Sequence, residues 1–179
     1  MLETILIIAI SLVAIVVVII AIVSMQPTDF RVSRSDTIDA PAGDVFPHVN
    51  DLRKMNEWSP WLEADPQVKQ TYDGPAQGTG AVYTWNGNNK VGEGRMTIVD
   101  SKPNDSISIK LDFMRPFKSI SDVEFTFNTQ GDRTVVTWTM NSKRVFMTKL
   151  FGLIMNMDKM IGGNFEKGLA KLKKIVETR

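Results

Sequence analysis

His48 is the only histidine and there is no cysteine, so few residues are able to do covalent or metal chemistry. Any Ser-His-Asp arrangement would have to use His48, which sits in Phe46-Pro47-His48-Val49 on a short helical stretch. A lone imidazole there reads as a packing or surface residue. A zinc site would lack both thiolates and a second imidazole, and no metal or other cofactor is expected. Carboxylates remain. Glu93, Glu124 and Asp112 fall in segments patterned as strands, and a carboxylate buried in an apolar pocket acquires a raised pKa and transfers protons. Asp112 lies in the polar phase of its strand, which predicts solvation. Arg95 would neutralise a neighbouring acid or hold a ligand headgroup. Glu93, Arg95 and Glu124 are therefore polar pocket candidates, and none is assigned a catalytic role. Gly78-Thr79-Gly80 and Gly92-Glu93-Gly94 lack the strand-then-helix setting of a phosphate loop and read as hairpin or bulge glycines.

What the chain supplies in quantity is apolar and aromatic. Tyr83, Trp85, Met96, Phe113, Phe125, Trp138 and Met140 lie on predicted strands, and Ile154, Met157, Ile161 and Phe165 on a predicted helix. Ten methionines are many for this length, and Met147, Met155, Met157 and Met160 cluster. Flexible thioethers suit a pocket that accepts variable apolar shapes. Each of these residues alone reads as core; together they are the candidate lining of a hydrophobic ligand site. Trp58 and Trp61, spaced around Pro60, read as structural rings closing one end of a barrel-like sheet.

The elements that position them follow from periodicity. A strand over Arg31–Ala40 is followed by two short helices, one containing Val45, Phe46 and Val49 and one over Leu52–Trp58. Strands are then predicted over Val68–Tyr72, Ala81–Trp85 and Val91–Val99. Ile107, Ile109, Leu111 and Phe113 alternate strictly with polar residues, as do Val123, Phe125 and Phe127, then Val136, Trp138 and Met140. Gly131-Asp132 marks the hairpin between the last two. The period then changes. Leu150, Ile154, Met157, Ile161, Phe165, Leu169, Leu172 and Val176 recur every three or four residues, the stripe of one long amphipathic helix with a kink expected near Gly162-Gly163. The fold class is α+β: a curved antiparallel sheet whose concave face needs a long helix to cover it.

Ahead of this domain, Ile5–Val23 contains one polar residue, Ser11, and no charge. At ~1.5 Å per residue the run is about 28 Å long, close to the ~30 Å hydrocarbon thickness of a bilayer. A cleaved signal would have a basic start, a shorter core and a small-x-small site; Glu3 and Ile22-Val23-Ser24-Met25-Gln26 fit none of these. Residues 1–29 are read as a transmembrane anchor and linker, residues 30–179 as a single domain, and the protein as single-pass. Arg31 and Arg34 follow the span and no base precedes it, which by the positive-inside rule places the domain in the cytoplasm. Bases dominate beyond residue 142, and Lys167, Lys171 and Lys174 form a helical face that reads first as a solvated surface and, beside an anionic leaflet, as one that meets the lipid. The strand region is acidic, which argues against nucleic acid as a partner. Nothing in the sequence speaks to oligomeric state.

This order of elements resembles the START-like helix-grip superfamily, also called SRPBCC, in its polyketide cyclase/dehydrase-type branch. The carrying residues are Ile38-Asp39-Ala40-Pro41 leading to Val45-Phe46, Asn50-Asp51-Leu52, and Glu57-Trp58-Ser59-Pro60-Trp61 with Asp65-Pro66. Gly92-Glu93-Gly94 with Met96-Thr97-Ile98, and Met157-Asp158-Lys159-Met160-Ile161-Gly162 with Phe165-Glu166-Lys167-Gly168-Leu169, complete it. An N-terminal anchor is a familiar addition in this branch, although the basic residues that usually precede it are missing here. The resemblance implies a pocket for a hydrophobic small molecule between sheet and helix, and it implies no single reaction. Two functions follow. One is a membrane-anchored binding module for a lipid-like molecule. The other is a cyclase or dehydrase-type enzyme using a pocket carboxylate. A protein-interaction domain with a closed cavity is a third, weaker reading.

Overall fold

Branched aliphatic side chains fill helix α1, Leu2–Met25, almost without interruption. Almost all of its surface is exposed, and it is long and apolar enough to cross a bilayer; a signal sequence shares that length and composition. In the computed structural model, which describes residues 1–178, only Gln26, Pro27 and Thr28 separate α1 from the first strand, β1, Asp29–Ile38. The short helices α2 (Ala42–Val45), α3 (Pro47–Asn50) and α4 (Leu52–Trp58) follow. Asp51 caps α4 by accepting a 2.9 Å hydrogen bond from the Arg53 amide.

Six further strands then form a meander: β2 (Lys69–Asp73), β3 (Val82–Asn86), β4 (Glu93–Lys102), β5 (Ser106–Arg115), β6 (Ser119–Gln130) and β7 (Arg133–Lys143). They make one antiparallel sheet in the order β1-β7-β6-β5-β4-β3-β2. The last two elements are α5 (Phe146–Gly152) and α6 (Met157–Glu177), the latter lying across the sheet against β1. The alternation Ile107, Ile109 and Val123, Phe125, Phe127 turns one face of the sheet inward, where it meets Phe165, Leu169 and Leu172 of α6 in the core. This is an α+β helix-grip fold.

The C-terminal helix departs from expectation at its start. The stripe beginning at Leu150 is divided between α5 and α6. Leu153–Met155 leave the helix, and Asn156 caps the next one by accepting from the Lys159 amide at 2.9 Å. Apolar spacing continues across this break, so periodicity alone does not reveal it. Helix α6 then continues from Met157 to Glu177, Gly162 and Gly163 included. Gly162 serves proximity: a Cβ there would lie 2.1 Å from Nη2 of Arg34. The Arg34 guanidinium crosses the helix at this point, donating from Nε to Glu166 at 2.7 Å and from Nη2 to Asp158 at 2.8 Å. Those hydrogen bonds hold the Asp158 carboxyl below the usual carboxylate range.

Strand polarity gives the domain two distinct ends. β1 starts, β7 ends, and the turns β3–β4 and β5–β6 all fall on the side where α1 joins. From its first turn α6 runs toward the opposite end, where Lys173 donates to the Thr37 carbonyl at 2.7 Å and Glu177 accepts from the Asp39 amide. Lys171 is paired with Glu63. The bases on the side where α1 joins include Arg31, Lys143, Arg144 and Lys149, whereas Lys171 and Lys173 make their contacts farther along α6.

Candidate functional site

Between the concave face of the sheet and α6 lies a cavity of about 290 Å³. Its floor is Ile109, Leu111, Val123, Phe125, Trp138 and Met140, the inward phase of β5, β6 and β7. One wall is Tyr83, Trp85 and Met96 from β3 and β4, and the opposite wall is Ile161 and Phe165 from the first half of α6. Met55, Asn56, Ser59, Trp61 and Leu62, from α4 and the segment after it, complete the lining. Val68, Phe113, Lys90 and Val91 join them from strand ends and the β3–β4 turn on the side where α1 joins. Lys90 is exposed and Trp61 is 38% exposed, so the open end of the cavity lies among these residues.

Aromatic rings shape the interior. Trp138 stacks on Phe165 with centroids 4.0 Å apart, and Trp58 and Trp61 each meet the Trp138 ring edge-on at 5.6 Å. Trp58 is wholly buried and donates from Nε1 to the His48 carbonyl at 3.0 Å. Trp61 faces the cavity. The two tryptophans thus divide into one core residue and one lining residue. Across the cavity, Tyr83 stacks on Trp85 at 5.8 Å, and Trp85 meets Phe113 edge-on at 5.6 Å.

Polar groups gather at one place. Asn56 donates to the Tyr72 hydroxyl at 2.7 Å and to Gln70 Oε1 at 3.3 Å, and Tyr72 donates to the same Gln70 oxygen at 2.9 Å. Tyr83 lies against Tyr72, its ring centroid 5.2 Å away. Burial and the neighbouring Tyr72 push the Tyr83 phenol up to about 12 against a weaker opposing hydrogen bond with Asn56. At neutral pH this hydroxyl stays protonated and is a hydrogen-bonding group, not a base.

The acid–base candidates lie elsewhere. Gly94, Met96 and Ile98 occupy the inward phase of β4, so Arg95 points to solvent; Val123 and Phe125 do the same on β6, so Glu124 is exposed. Glu93 accepts a 2.8 Å hydrogen bond from Arg115 Nε in an ion pair at the strand end, outside the lining. Ile154 is 83% exposed because the helix breaks before it, and Met157 opens α6 without reaching the cavity. Tyr83, Trp85, Met96, Phe113, Phe125, Trp138, Met140, Ile161 and Phe165 are brought together around the cavity. Ile109, Leu111 and Val123 were readable from the same alternation and belong with them. Met55, Asn56 and Leu62 had no such signal, since a short helix carries too few turns to mark a face. His48 is buried in α3 and does not line the cavity. No cluster of three or more potential metal ligands occurs among the described residues.

A curved antiparallel sheet gripping a C-terminal helix, with a largely apolar cavity between them, defines a helix-grip protein of ligand-binding architecture. The chain belongs to the family described as polyketide cyclase/dehydrase and lipid transport, which matches residues 29–177. No curated protein matches it by sequence. Among solved structures it is similar to a protein of Rhizobium leguminosarum, with a TM-score of 0.60 at 13% identity over 84% of this chain and 96% of the other. It also resembles CalU16 of Micromonospora echinospora, at TM-score 0.54, 16% identity and coverages of 83% and 82%. A third similar structure is the di-domain ARO/CYC protein BexL of the BE-7585A biosynthetic pathway, at TM-score 0.61 and 17% identity. There the match spans 88% of this chain and 53% of BexL. At such identities these likenesses establish the fold alone.

Proposed function

We propose that this protein is a membrane-anchored binding module that holds a lipid-like or other hydrophobic small molecule between the sheet and α6. The observation that carries the reading is the lining: about 290 Å³ enclosed mainly by apolar and aromatic side chains, with Asn56, Ser59 and Lys90 as its polar members and no carboxylate. That volume sits near the lower end of ligand pockets, suited to a compact apolar molecule or part of an acyl chain. Acid–base catalysis needs a group that changes protonation near neutral pH, and the raised pKa of Tyr83 argues for binding instead. The family description, which joins cyclase/dehydrase and lipid transport, accommodates this reading. Helix α1 serves as the anchor, and Arg31 and Arg34, the bases that closely follow the span, are consistent with a cytoplasmic domain.

The test uses the full chain in vesicles with a photoactivatable fatty acid, followed by peptide mapping of the crosslinked protein. Labelling is expected on β5, β7 and the first half of α6. Leu111→Trp fills the cavity floor and should remove that labelling while the chain stays folded. Labelling confined to α1, or equal labelling in both chains, would overturn the proposal.

A further inference from the structure

Helix α5 and the turn after it carry an apolar surface that the cavity does not use. Phe146, Met147, Phe151, Leu153, Ile154 and Met155 are all exposed, Ile154 to 83%. On a freely diffusing domain this concentration of apolar surface would be a liability. Its position explains it. α1 meets α5 at the end where the apolar run stops, and Val23 in that last turn is fully buried. Lys149 donates from Nζ to the Gln26 carbonyl at 2.9 Å and to the Thr28 hydroxyl at 3.2 Å. The Arg144 amide donates to the Thr28 carbonyl at 2.7 Å, and its guanidinium covers the Phe30 ring at 4.7 Å. Phe151 is further held by Phe117 of the β5–β6 turn, centroids 6.0 Å apart. The patch is thus fastened to the linker leaving α1, at the depth where the hydrophobic span ends.

We infer that α5 and residues 153–155 form a second membrane contact, seated in the interfacial layer of the bilayer that α1 crosses. The inference rests on the anchor reading and adds to it an orientation for the domain. Its chemistry fits: an apolar face for the acyl boundary, with Lys143, Arg144, Lys149 and Lys159 against the single acid Asp158 in the same stretch, suited to anionic headgroups. The open end of the cavity shares this end of the domain, because the β3–β4 turn bearing Lys90 and Val91 and the end of β5 bearing Phe113 lie there. Seating α5 therefore turns the cavity toward the lipid surface.

The chain's lack of cysteine makes the test direct. Three full-length variants, Ile154→Cys, Val13→Cys and Asp132→Cys, are labelled with an environment-sensitive fluorophore and reconstituted in vesicles containing nitroxide-labelled phosphatidylcholine. Asp132 lies in the β6–β7 turn, at the far end of the sheet. The label at 154 should shift to the blue and lose most of its emission to the nitroxide, as at 13, while the label at 132 keeps its emission. Quenching at 13 with none at 154 would overturn the membrane contact and leave the anchor standing. No quenching at 13 would overturn the anchor and this inference together. A blue-shifted label at 154 without nitroxide quenching would assign the patch to a protein partner, such as a second copy, and overturn the lipid assignment.

Discussion

Tyr83 is one of only two tyrosines, which makes its environment measurable. Its phenol, held up to about 12 from an ordinary 10.0, stays protonated in the folded protein after it would ionise in the unfolded chain. The sign follows: between about pH 10 and 12 the folded state binds more protons at this group, so its contribution to stability is complete below pH 10 and is lost as pH rises toward 12. A phenolate absorbance titration should show one late phase near pH 12 that Tyr83→Phe abolishes, and the variant should lose stability less steeply across that window. A single phase near pH 10 in the native chain would contradict the placement. At this scale the sequence spoke clearly for apolar residues and poorly for polar ones. Phe125 and Trp138 lie where alternation put them. Arg95 and Glu124 were considered for the interior although the same alternation turns them outward, as inward Met96 and Phe125 require. Polar residue type drew attention that phase should have overruled.

Among the elements, the entry into β4 is tightly constrained. Gly92 has φ +67°, and a Cβ there would lie 2.3 Å from the Arg115 carbonyl oxygen; the register slips between Glu93 and Gly94. Such a bulge re-aims the strand, and Gly94 then lies under the Trp85 indole. A Cβ on Gly94 would be 2.5 Å from two ring carbons and 2.7 Å from the Asp112 carbonyl oxygen. The indole cannot simply swing away, because its N–H donates to the Val91 carbonyl at 3.0 Å. Gly94→Ala is expected to destabilise by roughly 1–3 kcal/mol, the usual cost of overpacking, and to distort the cavity wall that Trp85 forms. Thermal unfolding monitored by near-ultraviolet circular dichroism checks both. The glycine pair was recognisable from sequence as a bulge or hairpin, whereas the ring it shelters was not, because that contact depends on cross-strand register. The α5–α6 break was hidden for a related reason. Asn156 is a good cap, but the apolar residues on either side keep the helical period.

For the whole molecule, Gln26–Thr28 separate α1 from the sheet domain. Core residues of the domain come from β1 onward, and the cavity is lined without α1. A fragment beginning at Pro27 should therefore melt in one cooperative transition by circular dichroism. A broad, non-cooperative melt would show that the α1–α5 contact is needed for the fold. Sheet order carries a different consequence, for the order in which structure arises during synthesis. Strands β2 to β7 each pair with a chain neighbour, so the meander assembles through short loops. β1 pairs only with β7, Asp29 opposite Lys143, and its inner face is completed only by α6. The first strand made thus waits for the last one, and closing that long loop carries the largest entropic cost in the sheet. β1 spends that interval as an unpaired strand, three residues beyond the end of α1. Folding of this domain is therefore a race between distant closure and misassociation, and an anchor of the kind proposed for α1 would confine both to two dimensions.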